Sequence, residues 1–182
     1  MSETELVPVP ISTSINTGIQ PAHVASMKQL LGVPDIAAGE VSELVRERLV
    51  TEGVGLFRMT GLRPWVEFWE GFFADLKLTR PWLYRVVGSA GTLCVRYVHG
   101  TTIPSNHCWG AATDFTISGE LTFQGAQLML KGYEHLYEAV KAYVASKKLT
   151  MPYWGAGYPR VDPMHFDAPI EWILAWKREG KL

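Results

Sequence analysis

Ser105-Asn106-His107-Cys108-Trp109-Gly110-Ala111-Ala112-Thr113-Asp114-Phe115 joins a polar loop to an alternating apolar run. From Ala111 to Ile117, AATDFTI alternates in the manner of a half-buried strand. The preceding HGTTIPSNHCWG reads as a loop, and Gly110 allows a tight turn between the two. His107 in the loop and Asp114 in the strand, seven residues later, can therefore face one point. Imidazole nitrogen and carboxylate oxygen are both good zinc donors, and a catalytic zinc keeps three protein ligands and one open position. A third ligand has to come from elsewhere. On the residues alone the pair also fits an aspartate at a turn or cap and a histidine satisfied at the edge of the core.

Asp162-Pro163-Met164-His165-Phe166-Asp167 offers the missing donor. His165 supplies a second imidazole, and Asp162 stands three residues before it. Pro163 fixes its own φ and restricts Asp162. A carboxylate beside a metal, rather than on it, can take a proton from water that the metal has acidified.

Outward from these segments, the chain mixes short strands and helices without regular alternation, which points to an α+β fold. Pro21 to Leu31 reads as a short helix stopped by Gly32 and Pro34, and Val41 to Leu49 has helical spacing. Gly53 to Met59 reads as a strand. Pro64 to Leu76 is a helix whose Trp65, Phe68, Trp69, Phe72 and Phe73 form a core stripe rather than a ligand box. A helical turn or two is expected around Pro81 to Val87, and Thr92 to Val98 alternates as a strand. The longest helix is expected from Phe123 to Ser146. PYWGAGYPR then forms a loop, Met164 to Phe166 a strand, and Ile170 to Arg178 a closing helix. Residues 1 to 22 are rich in Pro, Ser and Thr and read as an arm that is ordered only if it packs on the body.

With 182 residues, 47% of them hydrophobic and seven each of Trp, Tyr and Phe, the chain can build a core without disulfides. Its net charge of −1, with no run of like charge, gives no electrostatic support for binding nucleic acid. Cys94 and Cys108 read as free thiols rather than a bridge or a metal clip. No apolar stretch is long enough to span a membrane, and the acidic, polar start MSETELVPVPISTSINTG is not a signal peptide. The expectation is a protein cytoplasmic as made, reaching any outside substrate after release or by another export route.

SNHCWGAATDF resembles the S-x-H-x-x-G-x-A-x-D signature of the D-alanyl-D-alanine carboxypeptidase and L-alanyl-D-glutamate endopeptidase family, which includes bacterial D,D-dipeptidases and many phage endolysins. WGAGYPRVDPMHFD is similar to the W-G-G…D-x-x-H-F ending of the endopeptidase branch, with Ala156 in place of the second glycine. The likeness runs from about Gly53 to Phe166, and the first 40 residues carry none of it. It implies zinc ligands at His107, Asp114 and His165 and a general base at Asp162. Asp rather than Glu at position 162, with Met164 in place of an aromatic, leans toward the endopeptidase side. It also implies that Arg96, on a strand before the ligand loop, polarises the scissile carbonyl and steadies its oxyanion. A structural salt bridge is the other use for that guanidinium, whose charge is permanent and whose donors are fixed in a plane.

Ser105 is expected to orient the loop or a ligand rather than act as a nucleophile, since no Ser/His/Asp elbow surrounds it. His99 reads as a loop or outer-layer residue, and His135 as solvated. His23 lies outside the resemblance. Cys108 could ligate zinc on chemistry alone, but its neighbour His107 occupies the matching position. Trp109 and Tyr158 could wall a substrate cleft or simply pack.

The expectation is an arm and short helix over residues 1–40, followed by one α+β domain over 41–182. A small, mostly antiparallel sheet would carry the zinc site, with helices around it, in the hedgehog/D,D-peptidase manner that the resemblance implies. The implied reaction is hydrolysis of an amide bond in the peptidoglycan stem peptide, with Zn2+ as cofactor and stem peptides as partners. Two other readings stay open: a non-catalytic zinc module of the same fold that binds cell-wall peptides or a protein, and a structural protein without metal.

Overall fold

The computed structural model describes residues 2–10 and 15–182. Its centre is a four-stranded sheet built from β4 (Val87–Gly91), β5 (Ala112–Ile117), β7 (Tyr153–Trp154) and β8 (His165–Asp167), in the order β4-β5-β8-β7, with every pair antiparallel. Residues alternate sides along a strand, so β5 and β8 are two-faced. Thr113, Phe115 and Phe166 turn to one side, and Asp114, His165 and Asp167 to the other.

The apolar side is covered by α3 (Arg63–Thr79). Its aromatic stripe is the core face read from the sequence: Trp69 meets the Phe115 ring edge-on at 4.7 Å and the Phe166 ring at 5.6 Å. Trp65 Nε1 donates to Thr113 Oγ1 at 2.9 Å, which fixes the helix along β5. Trp65, Trp69, Phe72 and Phe73 are almost fully buried. Burying such side chains contributes about 1.5–3 kcal/mol each, so this helix-on-sheet contact is the main support beneath the site.

The remaining helices are α1 (Val24–Leu31), α2 (Glu43–Arg46), α4 (Pro81–Val86), α5 (Lys131–Lys147) and α6 (Ile170–Arg178), and the outer strands are β1 (Leu6–Pro8), β2 (Leu49–Val54), β3 (Phe57–Leu62) and β6 (Leu128–Leu130). An α+β architecture with small antiparallel sheets and helices around them is therefore what the chain adopts. Several boundaries differ from those expected. The strand expected at 53–59 is a hairpin, β2 against β3, turning at Gly55-Leu56 with φ of +63° at Gly55; a two-residue hairpin turn needs that left-handed geometry. Leu49 opens β2 instead of closing a helix. The long helix begins at Lys131 rather than Phe123, because Leu128–Leu130 pairs with β1.

Thr92 to Val98 does not form a regular strand. It doubles back on the ligand loop through irregular bonds: Cys94 N–H to His107 O at 3.2 Å, Ser105 N–H to Arg96 O at 3.0 Å and Val98 N–H to Ile103 O at 2.8 Å. The edge strand that does pair with β5 is β4, whose sequence VGSAG lacks β-branched alternation.

The N-terminal segment packs on the body. β1 adds to β6, and Asn16 caps the exposed edge of β7. Residues Ile11–Ser14 of the expected arm lie outside the described residues. Among the described residues no helix is long and apolar enough to cross a membrane.

Candidate metal centre

The register of β5 against β8 sets Asp114 directly opposite His165. Directly opposed residues on one face of an antiparallel pair have Cβ atoms about 4.5–5.5 Å apart. The strand alternation that sends Phe115 and Phe166 into the core sends these two to the polar face. His165 Nδ1 lies 2.7 Å from Asp114 Oδ1.

His107 arrives from the loop. Asn106–Trp109 forms a single 3-10 turn capped by Ser105, whose Oγ accepts from His107 N–H at 3.4 Å, and Gly110 ends it with φ of +62°. Gly110 also lies against β3, where a Cβ would come within 2.8 Å of Gly61 Cα. The turn therefore needs glycine both for its conformation and for its closeness to the neighbouring backbone. It delivers His107 Nε2 to 3.2 Å from both Asp114 Oδ2 and His165 Nδ1.

The outward nitrogen of each ring is already engaged. His107 Nδ1 is 2.9 Å from the Thr92 carbonyl, which can only accept, so that nitrogen carries a proton and Nε2 is the nitrogen turned inward. His165 Nε2 is 3.1 Å from Asp167 Oδ2, leaving Nδ1 turned to the centre. The ligand atoms of His107, Asp114 and His165 lie within 4.8 Å of one another. Three ligand atoms converging in a buried spot could hold a metal ion between them. Two imidazoles and one carboxylate suit zinc, and the outer hydrogen bonds are of the kind that hold metal-binding imidazoles in place.

The charge pattern agrees. Burial alone would raise the Asp114 pKa, but hydrogen bonds from His107 and His165 hold it well below the usual carboxylate range. Burial would likewise lower His165, yet the Asp167 charge and the bond to Asp114 lift it well above the ordinary imidazole value. Asp167, which burial pushes up, is brought down by His165 and by bonds from Tyr158 and Asn106.

Asp162 is buried at the edge of this group, and burial raises its pKa to about 6, with the Asp114 charge adding to the rise and those of His165, His107 and Arg96 opposing it. Its Oδ1 has no hydrogen-bond partner among the described residues. The backbone holds it in place: Asp162 N–H donates to Gly155 O at 2.9 Å, and Asp162 O accepts from His165 N–H at 3.1 Å. Arg96 extends a half-exposed guanidinium to 3.8 Å from Asp114 Oδ2.

The other candidates separate. Tyr158 hands its hydroxyl hydrogen to Asp167 Oδ2, so it buttresses the outer layer. Trp109 is fully buried with Nε1 on the Gly32 carbonyl at 2.9 Å; it packs the core and lines no cleft. His99 is exposed in the loop, and its carbonyl accepts from Arg160 at 3.4 Å. Cys94 is exposed and Cys108 buried, both as free thiols, and Cys108 Sγ bonds to the Arg96 backbone rather than joining the centre. Residues without an assigned role in the sequence reading complete the outer layer: Asp167, Thr92 through its carbonyl, and Asn106. Of these, only Asp167 left a readable signal, because a residue two positions after His165 in a strand must share its face.

A family model described as D-alanyl-D-alanine carboxypeptidase matches residues 99–168. The match supports the zinc D,D-peptidase family. It supports a metallopeptidase, and its span holds His107, Asp114, Asp162, His165 and Asp167. It is narrower than the likeness traced from Gly53, and Arg96 falls before it. No curated protein gives a significant match to the chain. No solved structure does either.

Proposed function

We propose that this protein is a zinc metallopeptidase that hydrolyses an amide bond in the peptidoglycan stem peptide, with an active site of the hedgehog/D,D-peptidase type. The observation that carries the reading is the convergence of His107, Asp114 and His165 with their outward nitrogens already tied, inside the segment that matches the family. The family description, D-alanyl-D-alanine carboxypeptidase, supports a substrate of the stem-peptide class.

His107 Nε2, Asp114 and His165 Nδ1 would hold the metal. Bound zinc supplies a Lewis acid that acidifies water and polarises a carbonyl. Asp162 then accepts the proton of the attacking water. Its buried Oδ1 is unengaged and available for this, and a pKa of about 6 leaves it mostly ionised at neutral pH yet able to hold a proton briefly. The same carboxyl returns that proton to the leaving amine. Arg96, permanently charged and reaching the rim beside Asp114, donates to the oxygen that becomes negative as the carbonyl is attacked. The Asp162 and Met164 pattern favours a cut within the stem over trimming of a terminal D-alanine. A non-catalytic zinc module has no use for a buried, unpartnered carboxylate beside its metal, because such a group costs stability.

Metal analysis of the purified protein, combined with muropeptide digestion by wild type and Asp162→Ala, tests the reading. Stoichiometric zinc in both and cleavage by wild type alone is expected. Zinc without cleavage by either form would indicate the binding module, and absence of metal after chelator-free purification would overturn the zinc site. Mass spectrometry of the digest identifies the bond.

A further inference from the structure

The N-terminal segment lies outside the family match, yet it reaches the outer layer of the metal centre through one side chain. Asn106 Nδ2 is 3.1 Å from the Ala22 carbonyl oxygen and 3.1 Å from Asp167 Oδ1. An amide nitrogen carries two hydrogens, and both of these neighbours can only accept. Reversing the amide would set Asn106 Oδ1 against a carbonyl and a carboxylate, so the orientation is fixed by its surroundings. Asn106 Oδ1 is itself buried without a partner among the described residues, and the nitrogen therefore supplies what holds the side chain there. Asp167 passes the connection on, because its other oxygen holds His165 Nε2 at 3.1 Å.

The far end of the chain of bonds is anchored too. Ala22 N–H donates to Ala168 O at 3.1 Å, and Ile170 N–H donates to Gln20 O at 3.0 Å. Residues 20–22 thus lie alongside the chain that leaves β8, immediately after Asp167.

We propose that Asn106 is a positioning residue that ties the N-terminal segment, through Asp167, to the ring of His165, so that the seating of residues 20–22 and the affinity for metal are linked. This rests on the reading of His107, Asp114 and His165 as a zinc site. Without the amide, Asp167 loses one of the donors that orient it, and the His165 ring loses its fixed tilt. Hydrogen bonds made directly to a metal-binding imidazole, as by Asp167, change metal affinity by about 10–100-fold, and Asn106 acts on that bond through Asp167.

The test uses the full chain. Zinc affinity is measured by chelator competition, and ligand geometry by the visible spectrum of the cobalt-substituted protein, for wild type, Asn106→Ala and Asn106→Asp. Both variants are expected to bind zinc about tenfold or more weakly with an altered cobalt spectrum, and Asn106→Asp to be the worse because it turns a second carboxylate on Asp167. In wild type, adding zinc is expected to slow hydrogen exchange at the Ala22 and Ile170 amides, since coupling between two sites is reciprocal. If wild type binds neither metal, the zinc-site reading itself fails. If wild type binds zinc but folded Asn106→Ala stays within about twofold of it with an unchanged spectrum, the linkage is overturned while the zinc site stands. Should neither variant fold, unchanged exchange at Ala22 and Ile170 on zinc addition to wild type overturns it.

Discussion

His165 and Asp167 stand two residues apart on one strand, on the same face, with His165 Nε2 3.1 Å from Asp167 Oδ2. That spacing lets a single three-residue strand supply both a proposed ligand and the carboxylate that holds it, so the orientation of the imidazole is built into local geometry. Substituting Asp167 by Ala leaves His165 Nε2 and the Tyr158 hydroxyl without their acceptor in a buried place. Zinc affinity is expected to fall by about 10–100-fold. Chelator competition on the folded variant measures this, and an unchanged affinity would remove Asp167 from the metal centre.

The stretches on either side of the site were legible to different degrees. His107, Asp114 and His165 could be picked out because two motifs, each beside a Gly- or Pro-shaped turn, carry them. Their meeting depends on the β5–β8 register, and that register has a physical cause: Phe115 and Phe166 must both face the α3 aromatics, which forces Asp114 and His165 to the other side. Thr92 was not legible in its role, since it acts through a backbone carbonyl that leaves no trace in residue type. The alternation from Thr92 to Val98 misled because its hydrogen bonds go to the ligand loop instead of the sheet. VGSAG, which does join the sheet, has little side-chain surface to announce a strand.

Asp162 links the proposed activity to stability with opposite signs. Its pKa is raised by burial from the ordinary carboxylate value of 3.8 to about 6, so the folded state holds the proton more tightly than the unfolded chain does. Stability from this group is therefore present below about pH 4 and declines as pH rises through about 6, by about 3 kcal/mol at most. In metal-free protein, Asp162→Asn should be more stable than wild type at pH 7, by up to that amount, with the gain vanishing near pH 4. Urea denaturation at the two pH values measures it. The same substitution should lower the hydrolytic rate by about 10²–10⁴-fold while retaining zinc. A variant that is neither stabilised at pH 7 nor impaired in hydrolysis would remove Asp162 from the site.

Gly155 is fixed by what surrounds it. A Cβ at that position would come within 2.4 Å of the Asp162 carbonyl oxygen and 3.0 Å of His165 Cβ. The two residues it would push apart are the proposed base and a proposed ligand, and the Gly155 carbonyl accepts the Asp162 N–H. Gly155→Ala is expected to cost about 1–3 kcal/mol in stability and to weaken zinc binding and hydrolysis together. Ala at Gly39, where a Cβ meets nothing within 4 Å but φ is +72°, serves as the control: it should lower stability alone. Thermal unfolding alongside metal titration separates the two effects, and loss of stability in Gly155→Ala with full zinc affinity would contradict the expectation.

Asn16 substitutes for a missing strand. Its Nδ2 donates to Trp154 O at 2.8 Å and its Oδ1 accepts from Trp154 N–H at 2.9 Å, so one side-chain amide satisfies the outer edge of β7 as a neighbouring backbone would. The residue sits at φ of +59°, a conformation that asparagine tolerates better than most residues, and a Cβ at Gly157 would collide with its Nδ2 at 2.4 Å. Asn16→Ala removes both bonds, leaves two buried main-chain groups unpaired and keeps the backbone strained, and should cost about 2–4 kcal/mol. Asn16→Gly relieves the backbone while losing the same bonds, so it should be less harmful than Ala; equal loss in the two would show that the backbone conformation contributes nothing. Because β7 pairs with β8 at Tyr153↔Asp167, whose amide faces β7, hydrogen exchange at the Asp167 amide should rise in both variants, and protection unchanged from wild type would show that the edge of the sheet holds without this amide.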